Sequence, residues 1–260
     1  MHDPALELTG AGLDYGRLTA LADIDLRVET GQRVALVGPS GAGKSSLLGL
    51  AGGRLLPTRG RVCLLGADSA SLGPRALARL QRRVGTVHQQ LDIVGPLRVV
   101  HNVNAGHLGR WPVWKALVSL ASPRDTDLAL AALERVGIPD KLWTRAEQLS
   151  AGQQQRVAIA RVLVQDPDLI LADEPTASLD PARARDIMQL LEDLSRETGK
   201  TLVASLHSVE QARRHFDRVV GLRAGRLVFD AAAAELSAAQ LEDLYRLDGR
   251  RGDAPSGGVP

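Results

Sequence analysis

The stretch 33-RVALVGPSGAGKSSLLGL-50 decides the fold of this 260-residue chain. It opens on an apolar run, 34-VALV-37, of the kind found in parallel strands buried on both faces. It ends on a run that reads as a helix. Between the two, Gly38-Pro39-Ser40-Gly41-Ala42-Gly43-Lys44-Ser45 fits the pattern G-x-x-x-x-G-K-[ST]. Glycines at these positions let successive backbone N–H groups turn inward around an anion, and a helix N-terminus adds its partial positive charge. A lysine at position 44 can reach the outer phosphates of a nucleoside triphosphate, and the Ser45 hydroxyl can ligate Mg²⁺. Residues 38–45, with Ser46 following, are therefore the candidate phosphate site. The motif indicates a nucleoside triphosphatase and leaves its type open.

A second stretch, 169-LILADE-174, is an apolar strand ending in two acids. Such a strand delivers Asp173 to its C-terminal edge, where ligands bind in open α/β sheets. Asp173 can hold Mg²⁺ directly or through water, and Glu174 can polarise an attacking water.

Around these landmarks, strand-like and helix-like runs alternate. Short strands are expected at 5–10, 21–29, 33–38, 61–66 and 84–90, and again at 169–173 and 201–207. Helices are expected at about 181–197 and 208–216. Residues 218–230 read as a hairpin with Ala224-Gly225 at its turn. Alternation of this kind argues for a parallel sheet covered by helices. Residues 91–165 are mostly helical and interrupt that scheme. Within them, 125–137 forms a helix with Leu128, Ala132 and Val136 near one face, ended by Gly137 and Pro139. The 249-GRRGDAPSGGVP-260 tail is Gly- and Pro-rich and reads as disordered.

Composition narrows the class. The chain is 44% hydrophobic, enough for a sizeable core, and its formal charge is +2 with no long like-charge block, which gives no support to nucleic-acid binding. Its one cysteine, Cys63, permits neither an internal disulfide nor a cysteine zinc cluster. There is no signal-peptide pattern at the start and no apolar stretch near the about 20 residues that span a bilayer. Any membrane role is expected to be peripheral.

Ser150 and Gln153, in 149-LSAGQ-153, have the S-x-x-Q spacing of a capping box, so a helix begins there and presents free N–H groups to an anion. Followed by 154-QQRVAIAR-161, this stretch resembles the signature of the ATP-binding cassette (ABC) ATPases. Gln89 in 87-VHQQ-90 is similar to that family's Q-loop glutamine, and 178-SLD-180 to its D-loop. His207 resembles its switch histidine, and Tyr15 in 13-LDYG-16 the aromatic that stacks on adenine. Ala151 replaces a common glycine, and His88 stands where an aromatic often precedes the glutamine.

The resemblance implies a P-loop α/β fold over 1–248: a RecA-like parallel-sheet core, an N-terminal antiparallel β-subdomain and an inserted α-helical subdomain at about 91–160. It implies a head-to-tail dimer in which Ser150, Gly152 and Gln153 meet the nucleotide of the other copy, and it makes Asp180 a nucleotide-site residue. It makes ATP and Mg²⁺ the cofactors, Glu174 the general base, His207 a γ-phosphate contact, and Gln89 a sensor of Mg²⁺ and γ-phosphate. It places the chain at the cytoplasmic face of a membrane, with 144-TRAEQ-148 beside a permease. Regions 102–120, 205–230 and 241–246 are similar to the ATPases of bacterial phosphonate importers, which implies phosphonate or a related oxyanion such as phosphite as cargo, and a separate phosphonate-binding protein. His101 and 208-SVE-210 depart from that subfamily. An exporter or lipoprotein-release ATPase, and more remotely a non-transport cassette, are the alternative readings.

Overall fold

The computed structural model describes residues 3–245; the expected tail at 249–260 lies outside the described residues. In chain order the elements are β1 (Leu6–Tyr15), β2 (Leu18–Val28), β3 (Arg33–Val37), α1 (Lys44–Ala51), β4 (Arg59–Leu64), β5 (Ala67–Asp68), α2 (Pro74–Gln81), β6 (Val84–Val87), α3 (Val99–Asn104), α4 (Val113–Ala121) and α5 (Thr126–Arg135). Then follow α6 (Ala151–Gln165), β7 (Leu169–Asp173), α7 (Pro181–Thr198), β8 (Thr201–Leu206), α8 (Val209–His215), β9 (Arg218–Arg223), β10 (Arg226–Ala232) and α9 (Ala238–Tyr245).

Six of the strands form one sheet in the order β10-β9-β3-β8-β7-β6. All neighbours in it run parallel except the β9–β10 hairpin at the edge. The apolar runs of the central strands are continuous because both faces are covered. Along β3, Ala35 and Val37 enter one core while Val34 and Leu36 enter the other. Along β7, Ile170 and Ala172 divide from Leu169 and Leu171 in the same way. The period-two alternation of a strand thus feeds two separate cores. One core takes in the inserted helices α3, α5 and α6 and also α7; the other takes in α1 and a second, antiparallel sheet ordered β2-β1-β4-β5.

The antiparallel sheet corrects one expectation. The first strand does not stop at Gly10. Gly10 takes φ +53° in an irregular stretch of the β1–β2 ladder, which then continues to Tyr15 and returns at Leu18. A glycine inside a strand pattern marked a bulge, not an end. The consequence is functional: the hairpin carries Tyr15 to the far end of the sheet. A second correction concerns α5. Leu128 is 55% exposed; the buried stripe is Ala129, Ala132, Leu133 and Val136. Ala132 and Val136 are buried as expected; only Leu128 falls outside, and Ala129 and Leu133 complete the stripe at helical spacing.

Candidate functional site

The site is built where three strands end. After β3 the chain turns through Gly38, whose φ is +154°, and Gly43, whose φ is +105°, before α1 begins at Lys44. A Cβ at Gly38 would lie 2.1 Å from the Leu222 carbonyl oxygen, and one at Gly43 would lie 2.8 Å from that of Ala20. Only glycine lets the loop run this close to its neighbours. The turn of the β9–β10 hairpin braces the loop from behind: the Gly225 N–H donates to the Ala42 carbonyl at 3.0 Å, and the Gly225 carbonyl accepts from the Ala22 N–H at 2.8 Å. Ala224 and Gly225 have φ +47° and +75°, as that tight hairpin turn requires.

Lys44 is 5% exposed, and its Nζ donates to the carbonyls of Gly38 at 2.8 Å and Pro39 at 3.1 Å. Burial pushes its ammonium below the ordinary lysine value, and the carboxylates of Glu174 and Asp173 oppose that shift. Such an ammonium gains strongly from an anion brought beside it.

β7 delivers Asp173 next to α1. The Ser45 hydroxyl donates to Asp173 Oδ1 at 3.1 Å. A hydroxyl beside a carboxylate is a pair of hard oxygen donors, so Ser45 and Asp173 are the residues that would hold Mg²⁺ here, directly or through water. Among the described residues no cluster of three or more His, Cys, Asp or Glu side chains could hold a metal alone. A cation held by two protein oxygens and completed by phosphates and water is the usual Mg²⁺ arrangement.

Glu174 follows β7 with φ +47°, a left-handed conformation that costs a non-glycine residue about 1 kcal/mol or more. That turn takes its carboxylate out of the strand direction. Its Oε1 lies 2.7 Å from His207 Nε2, just beyond the end of β8. Two features of this corner were missed by sequence reasoning. Ser205, fully buried on β8, donates to Asp173 Oδ1 at 2.7 Å and accepts from the Glu174 N–H at 2.9 Å. The one signal available was a hydroxyl inside an apolar strand. Arg161, on α6, donates to the carbonyls of Leu91 and Asp92, both at 2.9 Å, tying the segment after Gln89 to the signature helix. Nothing in its position along the sequence pointed to that contact.

A cleft of about 740 Å³ gathers Tyr15, Ser40, Gly41, Gly43, Lys44, Ser45, Ser46, Gln89, Glu174 and His207, with Leu18, Thr19 and Ala20 beside Tyr15. The size suits a nucleotide. Gly38, Pro39 and Ala42 shape the loop from outside that lining. Ser150, Gly152, Gln153 and Asp180 are not among the residues that line it. Ser150 and Gln153 form the expected capping box at the start of α6, at 3.0 and 3.3 Å. Asp180 caps α7, accepting from the Ala182 and Arg183 N–H groups; the Arg183 N–H bond is the chief reason its carboxyl is held below the usual range. Ala146–Gln148 forms a short 3₁₀ turn before the signature, held by Gln154 Nε2 on the Ala146 carbonyl at 3.0 Å.

The family model for ABC transporters matches residues 21–177, from β2 through the acidic end of β7. The chain belongs to the ABC transporter family. The cassette is 52% identical over 226 residues to the phosphonates import ATP-binding protein PhnC 1 of Pseudomonas aeruginosa, covering 87% of this chain and 85% of that protein. It is 42% identical to the PhnC of Lactobacillus gasseri, over 97% of each chain. It is 50% identical to the PhnC of Anaeromyxobacter dehalogenans over 99% of its own length, and spans about half, 51%, of that longer relative. Among solved structures, the dimeric bacterial ABC transporter cassette MJ0796 aligns with a TM-score of 0.78 at 31% identity, over 88% of this chain and 98% of that one. The cassette cbiO1 from Clostridium perfringens, part of the transporter complex cbiONQ, aligns with a TM-score of 0.77 at 27% identity, over 94% and 96% of the two chains. Among the described residues of this cassette, no helix is long and apolar enough to cross a membrane.

Proposed function

We propose that this chain is the ATP-hydrolysing subunit of an importer of phosphonates or related phosphorus oxyanions, acting on a separate permease at the cytoplasmic face of the membrane. The observation that carries the hydrolytic part is the convergence of Lys44, Ser45, Glu174 and His207 on one cleft, with Asp173, which is not among the lining residues, hydrogen-bonded to Ser45. The cargo rests on relatives named for phosphonate import that cover most of this chain.

In this reading Tyr15 stacks on the base, and the backbone N–H groups of the loop at 38–46 hold the phosphates. Lys44 offsets charge on the outer phosphates. Ser45 and Asp173 hold Mg²⁺, with Gln89 nearby, and the ion supplies further neutralisation of phosphate charge when bound. Glu174 takes the proton of the attacking water, and His207 hydrogen-bonds Glu174 and the γ-phosphate. Donors aimed at the developing phosphoryl charge are worth a factor of about 10³ or more in rate. Ser150, Gly152, Gln153 and Asp180 serve the nucleotide of a second copy placed head to tail, which accounts for their position away from the cleft of their own chain. The domain spans 1–248, and a phosphonate-binding protein acts indirectly through the permease.

Two experiments test this. Lys44→Ala and Ser150→Arg should each abolish ATP turnover alone, and mixing them should restore part of it, since a mixed dimer contains one intact half-site pair. No recovery on mixing, with dimers present, would count against the trans arrangement. Vesicles containing the permease and this subunit, supplied with the phosphonate-binding protein, should take up a labelled alkylphosphonate in an ATP-dependent way. ATP-dependent uptake of other solutes alone would overturn the cargo.

A further inference from the structure

We infer that Ser205 is a positioning residue for hydrolysis, acting through both acids at once. Asp173 and Ser205 are register partners on the parallel strands β7 and β8, and the Ser205 side chain is fully buried between the strand ends. A serine hydroxyl has one proton and spare lone pairs. Here the proton goes to Asp173 Oδ1 at 2.7 Å, and a lone pair takes the Glu174 N–H at 2.9 Å. Each of these bonds fixes something different.

The bond to Asp173 joins the one from Ser45, so two hydroxyls converge on the same carboxylate oxygen. That sets the rotation of the carboxylate facing the candidate Mg²⁺ position. The bond from Glu174 captures a peptide N–H that has left the sheet ladder. The residue carrying it is in the left-handed region, at φ +47°. Without an acceptor at that point, the peptide is free to relax toward an ordinary extended conformation, which would swing the carboxylate away from His207. A backbone N–H at a buried strand end needs a partner, and Ser205 supplies it. The hydroxyl touches no reacting atom in this arrangement; it acts by holding two groups that do.

The inference rests on the proposed role of Glu174 as base, and the test separates the two. Ser205→Ala and Ser205→Thr are compared with the wild type and with Glu174→Gln, as full-length chain with its permease. Ser205→Ala should lower kcat about 10- to 100-fold, the scale expected when a reacting group is displaced by about 1 Å. KM for ATP and affinity for a fluorescent ATP analogue without Mg²⁺ should stay within about threefold. The Mg²⁺ concentration that half-saturates binding of the analogue should rise several-fold. Ser205→Thr, which keeps the hydroxyl, should recover most of both losses. Wild-type kcat in Ser205→Ala while Glu174→Gln is inactive would overturn the inference alone. Equal losses of kcat and of Mg²⁺-free nucleotide affinity, not recovered by threonine, would assign Ser205 a purely structural part and overturn it too. Wild-type turnover by Glu174→Gln would overturn the role of the base, and with it the need to position that base.

Discussion

His207 Nε2 and Glu174 Oε1 are 2.7 Å apart, although 33 positions separate them in sequence. The contact exists because β7 and β8 are parallel neighbours whose C-terminal ends finish side by side. It makes the histidine and the acid one unit. Glu174→Gln should therefore lower turnover by about 10²- to 10³-fold while ATP affinity stays within about threefold. The double variant with His207→Ala should be little slower than Glu174→Gln alone, because groups that act together lose their effect together. Turnover measured on the two single variants and the double decides this; fully multiplicative losses would separate the roles.

Lys44 is buried and bonded to two loop carbonyls, so its charge is held where a phosphate would enter. Lys44→Ala should weaken ATP binding at least about tenfold, by removal of a charge-assisted contact in a partly desolvated site. Equilibrium binding of a fluorescent ATP analogue is the measurement. Unchanged affinity would remove Lys44 from the phosphate site.

Gly38 and Gly41 offer a paired stability test. Both have positive φ, but a Cβ at Gly38 meets the Leu222 carbonyl at 2.1 Å, while one at Gly41 meets nothing within 4 Å. Gly38→Ala should cost about 3 kcal/mol or more, or prevent folding, and Gly41→Ala only about 1 kcal/mol of backbone strain. Urea denaturation of both variants provides the comparison, and equal costs would contradict it.

Glu192, 6% exposed, accepts from buried Arg33 at 3.2 Å and from buried His215 at 2.8 Å. Arg196 joins it at 2.9 Å. This network ties α7 to β3 and α8 far from the cleft. Glu192→Ala should destabilise the fold by about 3 kcal/mol, since it strands buried charge, with ATP affinity unchanged in the fraction that remains folded. Arg33 also donates to both carboxylate oxygens of Asp217, so a denaturation midpoint close to wild type would show that Asp217 alone satisfies Arg33.

Stability should fall on mild acidification. His88, His101 and His107 are each held below the ordinary imidazole value of 6.5, in each case chiefly by burial. The unfolded chain then binds these protons more readily than the folded one. The sign follows: no penalty applies above about pH 6.5, and stability drops as pH falls from there through the depressed folded values. His107 stacks on Trp111 with ring centroids 4.9 Å apart, and its buried Nε2 has no hydrogen-bond partner among the described residues. His107→Phe should keep the stacking and flatten part of the decline in urea midpoint between about pH 7 and 5. An unchanged slope would exclude His107 from it.

Much of this protein was legible in its residues. The strand–glycine loop–lysine run, the apolar strand ending in Asp173 and Glu174, and the capping box at Ser150 are local patterns. Each depends on neighbours a few positions away, so local chemistry determines it. The parallel sheet also followed, from strands that lack polar faces alternating with helices. What required the tertiary structure was everything set by strand adjacency and by packing between subdomains. Gly10 reads as a stop, and only the continuing ladder with β2 and β4 shows it to be an irregularity that carries Tyr15 onward. Leu128 and Ala129 fit a helical stripe about equally well, and only the packing of α5 on α6 selects the second. Ser205 is a single hydroxyl in an apolar run, and Arg161 is one arginine among many. Their partners lie 31 or more residues away along the chain. Sequence spacing carries no information about which strand ends will lie side by side, whereas a hydrogen bond depends on that separation to within a few tenths of an ångström.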